Sequence, residues 1–215
     1  MKLEERMSSL QDIRNQVINC KKCHLHKTRT YAVPGEGNTN SEIVLVGEAP
    51  GAKEDRTGRP FVGAAGQLLD ELIQRYLRIE RDSVFITNLV KCRPPNNRDP
   101  SEDEIVTCSP YLLAQINLIK PKIIVTLGRH STRFFQNLAK VEEESISKCH
   151  GKPFYINLSF GTVRVFPSYH PAAALYNRSL KSELEKDFQL LSRLISTSSK
   201  STTLDYFLDQ HGPGN

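Results

Sequence analysis

No apolar run in this 215-residue chain reaches the ~18 residues that a membrane-spanning helix needs. The N-terminal segment MKLEERMSSLQ is charged and lacks the apolar core of a secretory signal. Both absences lead to the expectation of a cytoplasmic protein with no membrane partner. No internal repeat is apparent. No Gly-Lys-Ser/Thr closes the glycine-rich stretch around Gly47–Gly51, so a phosphate-binding P-loop is a poor fit. Charge excess is slight. The net charge is +5 and the pI near 8.9, which permits a polyanion partner without demanding one.

Hydrophobic residues make up 38% and charged residues 25%, a balance that suits a soluble globular protein. The length suits one substantial domain. SSLQDIRNQVINC has Leu10, Ile13 and Val17 at helical spacing. SEIVLVGEAP is a short apolar run ending in a turn, as a buried strand would be. AAGQLLDELIQRYLRI is amphipathic, with Leu68, Leu69, Leu72 and Tyr76 on one face. SVFITNLVKC reads as a second strand, broken by PPNNRDP. Ser101 with Glu104 forms a capping box that opens a helix, which Pro110 should kink or divide. PKIIVTLGR is a further strand, and KPFYINLSFGTVRVFPSYHP holds two strands around SFGT. SLKSELEKDFQLLSRLIS closes the domain as a helix. Strands alternating with helices predict an α/β fold with a mostly parallel sheet covered on both faces. Ligands bind such sheets beyond the carboxyl ends of the strands, where Gly47–Gly51, Asn88 and His170 fall.

Cysteines number five, at 20, 23, 92, 108 and 149. Cys20-x-x-Cys23 can hold one metal or one edge of a cluster, and Cys92 and Cys108 can complete a set of four thiolates. Such a set suits tetrahedral zinc or an iron–sulfur cluster alike, and spacing does not choose between them. The plainer reading makes Cys92 and Cys108 ordinary buried thiols. Cys149 lies in a polar stretch and reads as a spare thiol.

The loop GEAPGAKEDRTGRPF carries bare backbone at Gly47 and Gly51, carboxylates at Glu48 and Glu54, and a ring at Phe61. Missing side chains let a ligand approach the main chain, and a fixed aromatic ring can stack on a planar base. A solvated loop with Phe61 in the core is the plainer alternative. Asn88 is polar in an apolar strand. Its amide offers an adjacent donor and acceptor, which suits the edge of a flipped pyrimidine as well as a strand-end cap. His170, fixed by Pro171, is structural or a hydrogen-bond donor to developing negative charge.

Taken together, GEAPGAKEDRTGRPFVGAAG, NLVKCRPP, the cysteine set and HPAAAL resemble a family 4 uracil-DNA glycosylase, the thermostable, iron–sulfur-containing branch of that superfamily. The resemblance covers roughly residues 20–191. It implies a single three-layer α/β/α domain over residues 1–198, built on a central, mostly parallel four-stranded sheet. It also implies a [4Fe-4S] cluster on Cys20, Cys23, Cys92 and Cys108. The implied activity is monofunctional hydrolysis of the N-glycosidic bond of uracil in single- or double-stranded DNA, leaving an abasic site. On this resemblance Gly47, Glu48 and Ala49 contact uracil through the backbone, Glu54 excludes thymine's methyl group, Phe61 stacks and Asn88 pairs with the base edge. His170 and Glu48 are the catalytic candidates. Ala49 stands where the best-known branch has a water-positioning aspartate. Leu175 or Tyr176 would wedge into the minor groove, with Arg178 and Lys181 on phosphates.

No histidine lies in CRPPNNRDPSEDE, unlike the covalently trapping relative, and Glu48 is not expected in family 5 enzymes. The tail, 199–215, reads as flexible. Its STTLDYFL resembles a sliding-clamp (PCNA) peptide through Leu204, Phe207 and Leu208, with Ser201 where glutamine is usual and Leu208 where an aromatic is usual. An arbitrary disordered tail is the alternative. The chain is expected to act as a monomer. The rival from another class is a non-catalytic iron–sulfur DNA-binding or redox-sensing protein on the same scaffold. It would not need Phe61, Asn88 and His170 together.

Overall fold

This computed structural model describes residues 3–210, with the side chains of Glu5 and of residues 9–196. In chain order the elements are α1 (Leu3–Ile18), β1 (Glu36–Gly37), β2 (Ile43–Gly47), α2 (Ala52–Thr57), α3 (Ala64–Leu72), β3 (Phe85–Asn88) and α4 (Glu102–Ile119). They continue as β4 (Ile123–Leu127), α5 (Arg129–Ala139), α6 (Ile146–Cys149), β5 (Phe154–Leu158), β6 (Gly161–Ser168), α7 (Pro171–Ala174) and α8 (Arg178–Gln210).

The sheet corrects the four-stranded, mostly parallel expectation. It has six strands in the order β1-β3-β2-β4-β6-β5 and is mixed. β3, β2, β4 and β6 run parallel to one another, while β1 and β5 pair antiparallel at the two edges. β1 is two residues long, too short to leave a period in the sequence. Gly37, at φ +122°, lets it lie against β3, since a Cβ there would fall 2.0 Å from the Val84 carbonyl oxygen. β5 and β6 form a hairpin from Leu158 to Gly161, and a hairpin necessarily adds an antiparallel strand.

Successive residues of β2 point to opposite faces. Val44 and Val46 join Val17, Leu112 and Phe135 in one buried cluster, so α1, α4 and α5 cover that face. Leu45 joins Leu69, Leu72 and Phe188 in the other, under α3 and α8. α4 opens with the expected capping box, Ser101 and Glu104 each bonding the other's backbone N–H. It runs unbroken through Pro110, contrary to the expected division. Pro110 cannot donate to the Val106 carbonyl four residues back, and the Ser109 hydroxyl donates to that oxygen at 3.4 Å.

The backbone of α8 continues to Gln210. The expected tail, including Leu204, Phe207 and Leu208, falls where side chains lie outside the described residues. Among the described residues no helix is long and apolar enough to cross a membrane.

Candidate active site

The parallel strands β2, β3 and β6 end on one edge, at Gly47, Asn88 and Ser168. The residues just beyond them enclose a cavity of about 420 Å³, a size that suits a small planar ligand. Glu48, Ala49, Glu54, Phe61, Asn88 and His170 all line it, together with Pro50, Gly51, Asn97 and Arg98. Gly47 lies beneath this group. A Cβ on it would sit 2.3 Å from Asn88 Oδ1 and 2.6 Å from Phe61 Cζ, so the absent side chain is what lets those two groups converge.

Asn88 is 2% exposed. Its Oδ1 is buried and has no hydrogen-bond partner among the described residues. An orphaned buried acceptor costs about 1–3 kcal/mol unless something binds it, so it marks the side of the cavity where a donor belongs. Gly47 and Glu48 offer their carbonyls to the N–H groups of Leu89 and Val90, which extends the β2–β3 pairing past Asn88.

Phe61 is buried with φ at +50°, a left-handed conformation uncommon for a bulky residue. Three groups hold it there. Glu54 Oε1 accepts the N–H groups of Val62 and Gly63 at 2.9 and 2.8 Å, which ties the loop and fills the open N-terminus of α3. Arg81 donates to the carbonyls of Pro60 and Phe61, and is itself held by Glu36 and Asp70. Gly66 leaves room for the Phe61 carbonyl, which a Cβ would meet at 1.8 Å. Glu54 is thus a loop clamp as well as a cavity wall, a role the sequence reading missed.

His170 caps α7, its Nδ1 accepting the Ala172 N–H at 3.0 Å. An accepting Nδ1 carries no hydrogen, so in the neutral ring the hydrogen is on Nε2. Burial pushes its pKa down to about 4, with Glu54 opposing, so the ring is neutral near pH 7. The Phe61 and His170 rings stack at 5.6 Å, 26° from parallel. Gly128, at φ +94°, packs against the histidine, where a Cβ would lie 2.9 Å from His170 Cβ. The end of β6 is fixed from α8, since buried Asp187 accepts from Ser168 Oγ at 2.9 Å and pairs with His150 at 2.8 Å.

Glu48 faces His130 Nε2 at 3.7 Å, and His130 faces Asp99 at 3.4 Å. Arg129 bonds Asp99. One ligand atom from each of Glu48, Asp99 and His130 lies within 4.8 Å of the other two, the spacing of a group that could hold a metal ion. The two carboxylates already face an imidazole and a guanidinium. Burial raises the Glu48 pKa and Asp99 raises it further, while His130 and Arg129 oppose. His130 and Asp99 carried no signal in the sequence, because neither lies in a segment that reads as a pocket.

In the bend between α7 and α8, Leu175 is 38% exposed and Tyr176 94%, beside exposed Arg178 and Lys181 at the start of α8. These four lie outside the cavity lining.

Cys20, Cys23, Cys92 and Cys108 line a second, separate cavity with Arg29, Lys91 and Tyr111, and none is in a disulfide. Arg29 Nη1 donates to Cys92 Sγ at 2.9 Å, and the Lys91 N–H to Cys108 Sγ at 3.2 Å. Burial raises the pKa of Cys92 and takes that of Cys108 to about 11. Arg29 and Lys91 respectively oppose, and neighbouring cysteines add to both shifts. Four thiols lining one cavity, two of them already accepting N–H donors, fit a shared cationic centre. Cys149 is apart from them, buried in α6 near the Glu144 carbonyl.

Comparison with known proteins bears on what this arrangement is for. The pattern of the Uracil DNA glycosylase superfamily matches residues 34–191. The type-4 uracil-DNA glycosylase of Sulfurisphaera tokodaii is 57% identical over 202 residues, 94% of this chain and 91% of that protein. The chain belongs to the type-4 uracil-DNA glycosylases. Family relatives from Saccharolobus solfataricus and Archaeoglobus fulgidus are 53% and 46% identical, over 97% and 93% of this chain and 95% and 100% of their own. The superfamily match includes every residue named in the lining of the first cavity and the cysteines at 92 and 108, while Cys20, Cys23 and Arg29 precede it.

Proposed function

We propose that this uracil-DNA glycosylase takes an extruded uracil into the cavity between Phe61, Asn88 and His170 and hydrolyses its N-glycosidic bond, leaving an abasic site for base-excision repair. The observation that carries the reading is the orphaned Oδ1 of Asn88, a residue that lines one cavity with a ring and a neutral imidazole. Uracil presents N3–H beside O4. Asn88 Oδ1 would accept the first and its amide NH₂ donate to the second. Cytosine presents an acceptor and a donor in those places, so the same amide would meet it with mismatched groups.

Breaking the C1′–N1 bond sends its electron pair into the base and leaves a cation-like sugar. The uracil anion concentrates charge on O2, and His170 Nε2–H is the donor to it. A neutral imidazole serves here, because it gives a hydrogen bond without having to give up its proton. Water then attacks C1′ and releases a proton. Glu48, the carboxylate nearest Ala49, orients that water. Glu54 holds the loop that carries Phe61 and crowds the 5-position against thymine's methyl group. Leu175 or Tyr176 fills the gap in the duplex, and Arg178 and Lys181 hold the flanking phosphates.

Cys20, Cys23, Cys92 and Cys108 would hold a [4Fe-4S] cluster. When bound, it supplies a cross-link joining the segment after α1 to the end of β3 and to α4, as structural metal centres do. The segment at 199–215 is read as a sliding-clamp peptide on sequence alone.

Incubation with a uracil-containing oligonucleotide, followed by alkali, tests the assignment. Strand cleavage at uracil is expected. An uncut strand, with the metal centre intact, would overturn it.

A further inference from the structure

Lys91 is the largest fully buried side chain in the described residues and is 1% exposed. Its sequence context is NLVKCRPP. Nζ donates to three acceptors: Thr87 Oγ1 at 2.6 Å, the Asn88 carbonyl at 2.8 Å and Gln115 Oε1 at 2.8 Å. No carboxylate is among them. Burying an amine without full hydrogen bonding is costly, so the three acceptors are what make the position tenable.

Those acceptors belong to different parts of the fold. Thr87 and Asn88 end β3, and Gln115 lies on α4. Thr87 Oγ1 and Gln115 Nε2 also donate to the Pro34 carbonyl, at 3.1 and 2.7 Å. The main chain of Lys91 reaches the other way, its N–H to Cys108 Sγ and its carbonyl to the Val33 N–H at 2.7 Å. One residue therefore grips the backbone of Asn88 at one end and the cysteine cavity at the other.

We propose that Lys91 is a positioning residue for uracil recognition, holding the Asn88 carbonyl so that the amide presents its edge to the base. This rests on the reading of Asn88 as the residue that pairs with uracil. The side chain of Asn88 has no partner of its own on Oδ1, so its aim depends on how firmly its backbone is held. Gly47 fixes the backbone from the β2 side through the β2–β3 pairing. Lys91 fixes it from the α4 side.

The test is a double-mutant cycle on the full chain with its metal centre loaded. Single-turnover uracil excision and equilibrium affinity for free uracil are measured for Lys91→Met, Asn88→Ala and the pair. Lys91→Met keeps the length of the stem and removes the donors. Excision and uracil affinity are each expected to fall about tenfold or more in Lys91→Met. On the Asn88→Ala background the same change should add less than about threefold, because residues acting through one another are not additive. Gln115→Leu, which removes one acceptor and spares the lysine, should show the same non-additivity at smaller amplitude, and it decides the matter if Lys91→Met does not fold.

A loss that multiplies in full on the Asn88→Ala background would make Lys91 a general fold staple and overturn the proposal. So would parental activity in Lys91→Met. If Asn88→Ala itself excises uracil normally, the reading of Asn88 fails first, which is a distinguishable result.

Discussion

The Ala172 N–H points at His170 Nδ1 from 3.0 Å, which leaves Nε2 as the only ring nitrogen carrying hydrogen in the neutral histidine. Protonating the ring would set two N–H groups against each other at that contact. Burial, which lowers the pKa to about 4, acts in the same direction. His170→Ala is expected to lower single-turnover excision ~100- to 1000-fold, the usual effect of removing one donor to a developing oxyanion. Fluorescence anisotropy should show uracil-DNA affinity changed far less. Equal losses in both would contradict the role.

pH dependence separates His170 from Glu48. His170 stays neutral until pH falls to about 4, so it should not limit the rate above that. The Glu48 carboxylate is protonated at a higher pH than an ordinary glutamate, since burial raises its pKa. If the carboxylate orients water, the rate should fall with decreasing pH around a midpoint above 4.5, the ordinary glutamate value. Glu48→Gln should flatten that limb. His130→Leu should move it to higher pH, because His130 favours the ionised form. A limb that stays in place in Glu48→Gln would assign it elsewhere.

Gly47 is the position where the smallest substitution should do most harm. A methyl group would overlap Asn88 Oδ1 and Phe61 Cζ, and one of the two would have to move. Gly47→Ala should cost about 1–3 kcal/mol of stability, as overpacking does. Excision should fall further than that loss explains, because the displaced groups are the ones proposed to meet the base. A thermal melt beside an excision assay at a temperature where both proteins are folded separates the two effects.

The residues legible in sequence were those whose types are odd for their setting. Asn88 is an amide in an apolar strand, and Glu48 and Phe61 interrupt a glycine–proline turn. His170 stands before proline at a strand end. Their meeting in one cavity follows from parallel strands ending on one edge. What stayed hidden depends on partners from distant segments. Lys91 and Arg81 carry no signal of their own in the sequence, because their partners Gln115, Glu36 and Asp70 are brought to them only by the fold. β1 stayed hidden because two residues have no periodicity, whereas the other antiparallel edge, β5, was legible as half of the hairpin around SFGT.

The cysteine cavity yields a spectroscopic prediction. Protein purified anaerobically should show broad visible absorbance and about four irons per chain if the centre is a [4Fe-4S] cluster. Cys108→Ser should lose both and unfold at a lower temperature, since α4 would no longer be joined to the segment after α1. Colourless protein carrying zinc would rule out the cluster while leaving the four-thiolate site intact.

Glu54 has two roles that mutation can part. As a clamp, its Oε1 receives two backbone N–H groups at the start of α3. As a wall, its bulk faces the base cavity. Glu54→Gln keeps the bulk and an accepting oxygen, so stability and uracil excision should stay near those of the parent. Glu54→Ala removes both. Leaving the Val62 and Gly63 N–H groups without their acceptor should cost about 1–3 kcal/mol, measured by denaturant unfolding. Phe61, held at φ +50° by this tether, should then relax and carry the stacking surface away. If the wall role dominates, Glu54→Ala gains thymine excision while retaining uracil excision. If the clamp dominates, uracil excision falls and no thymine excision appears, because a loosened Phe61 stacks on neither base. The structure favours the second result, since the carboxylate is already bonded to the loop before any base arrives.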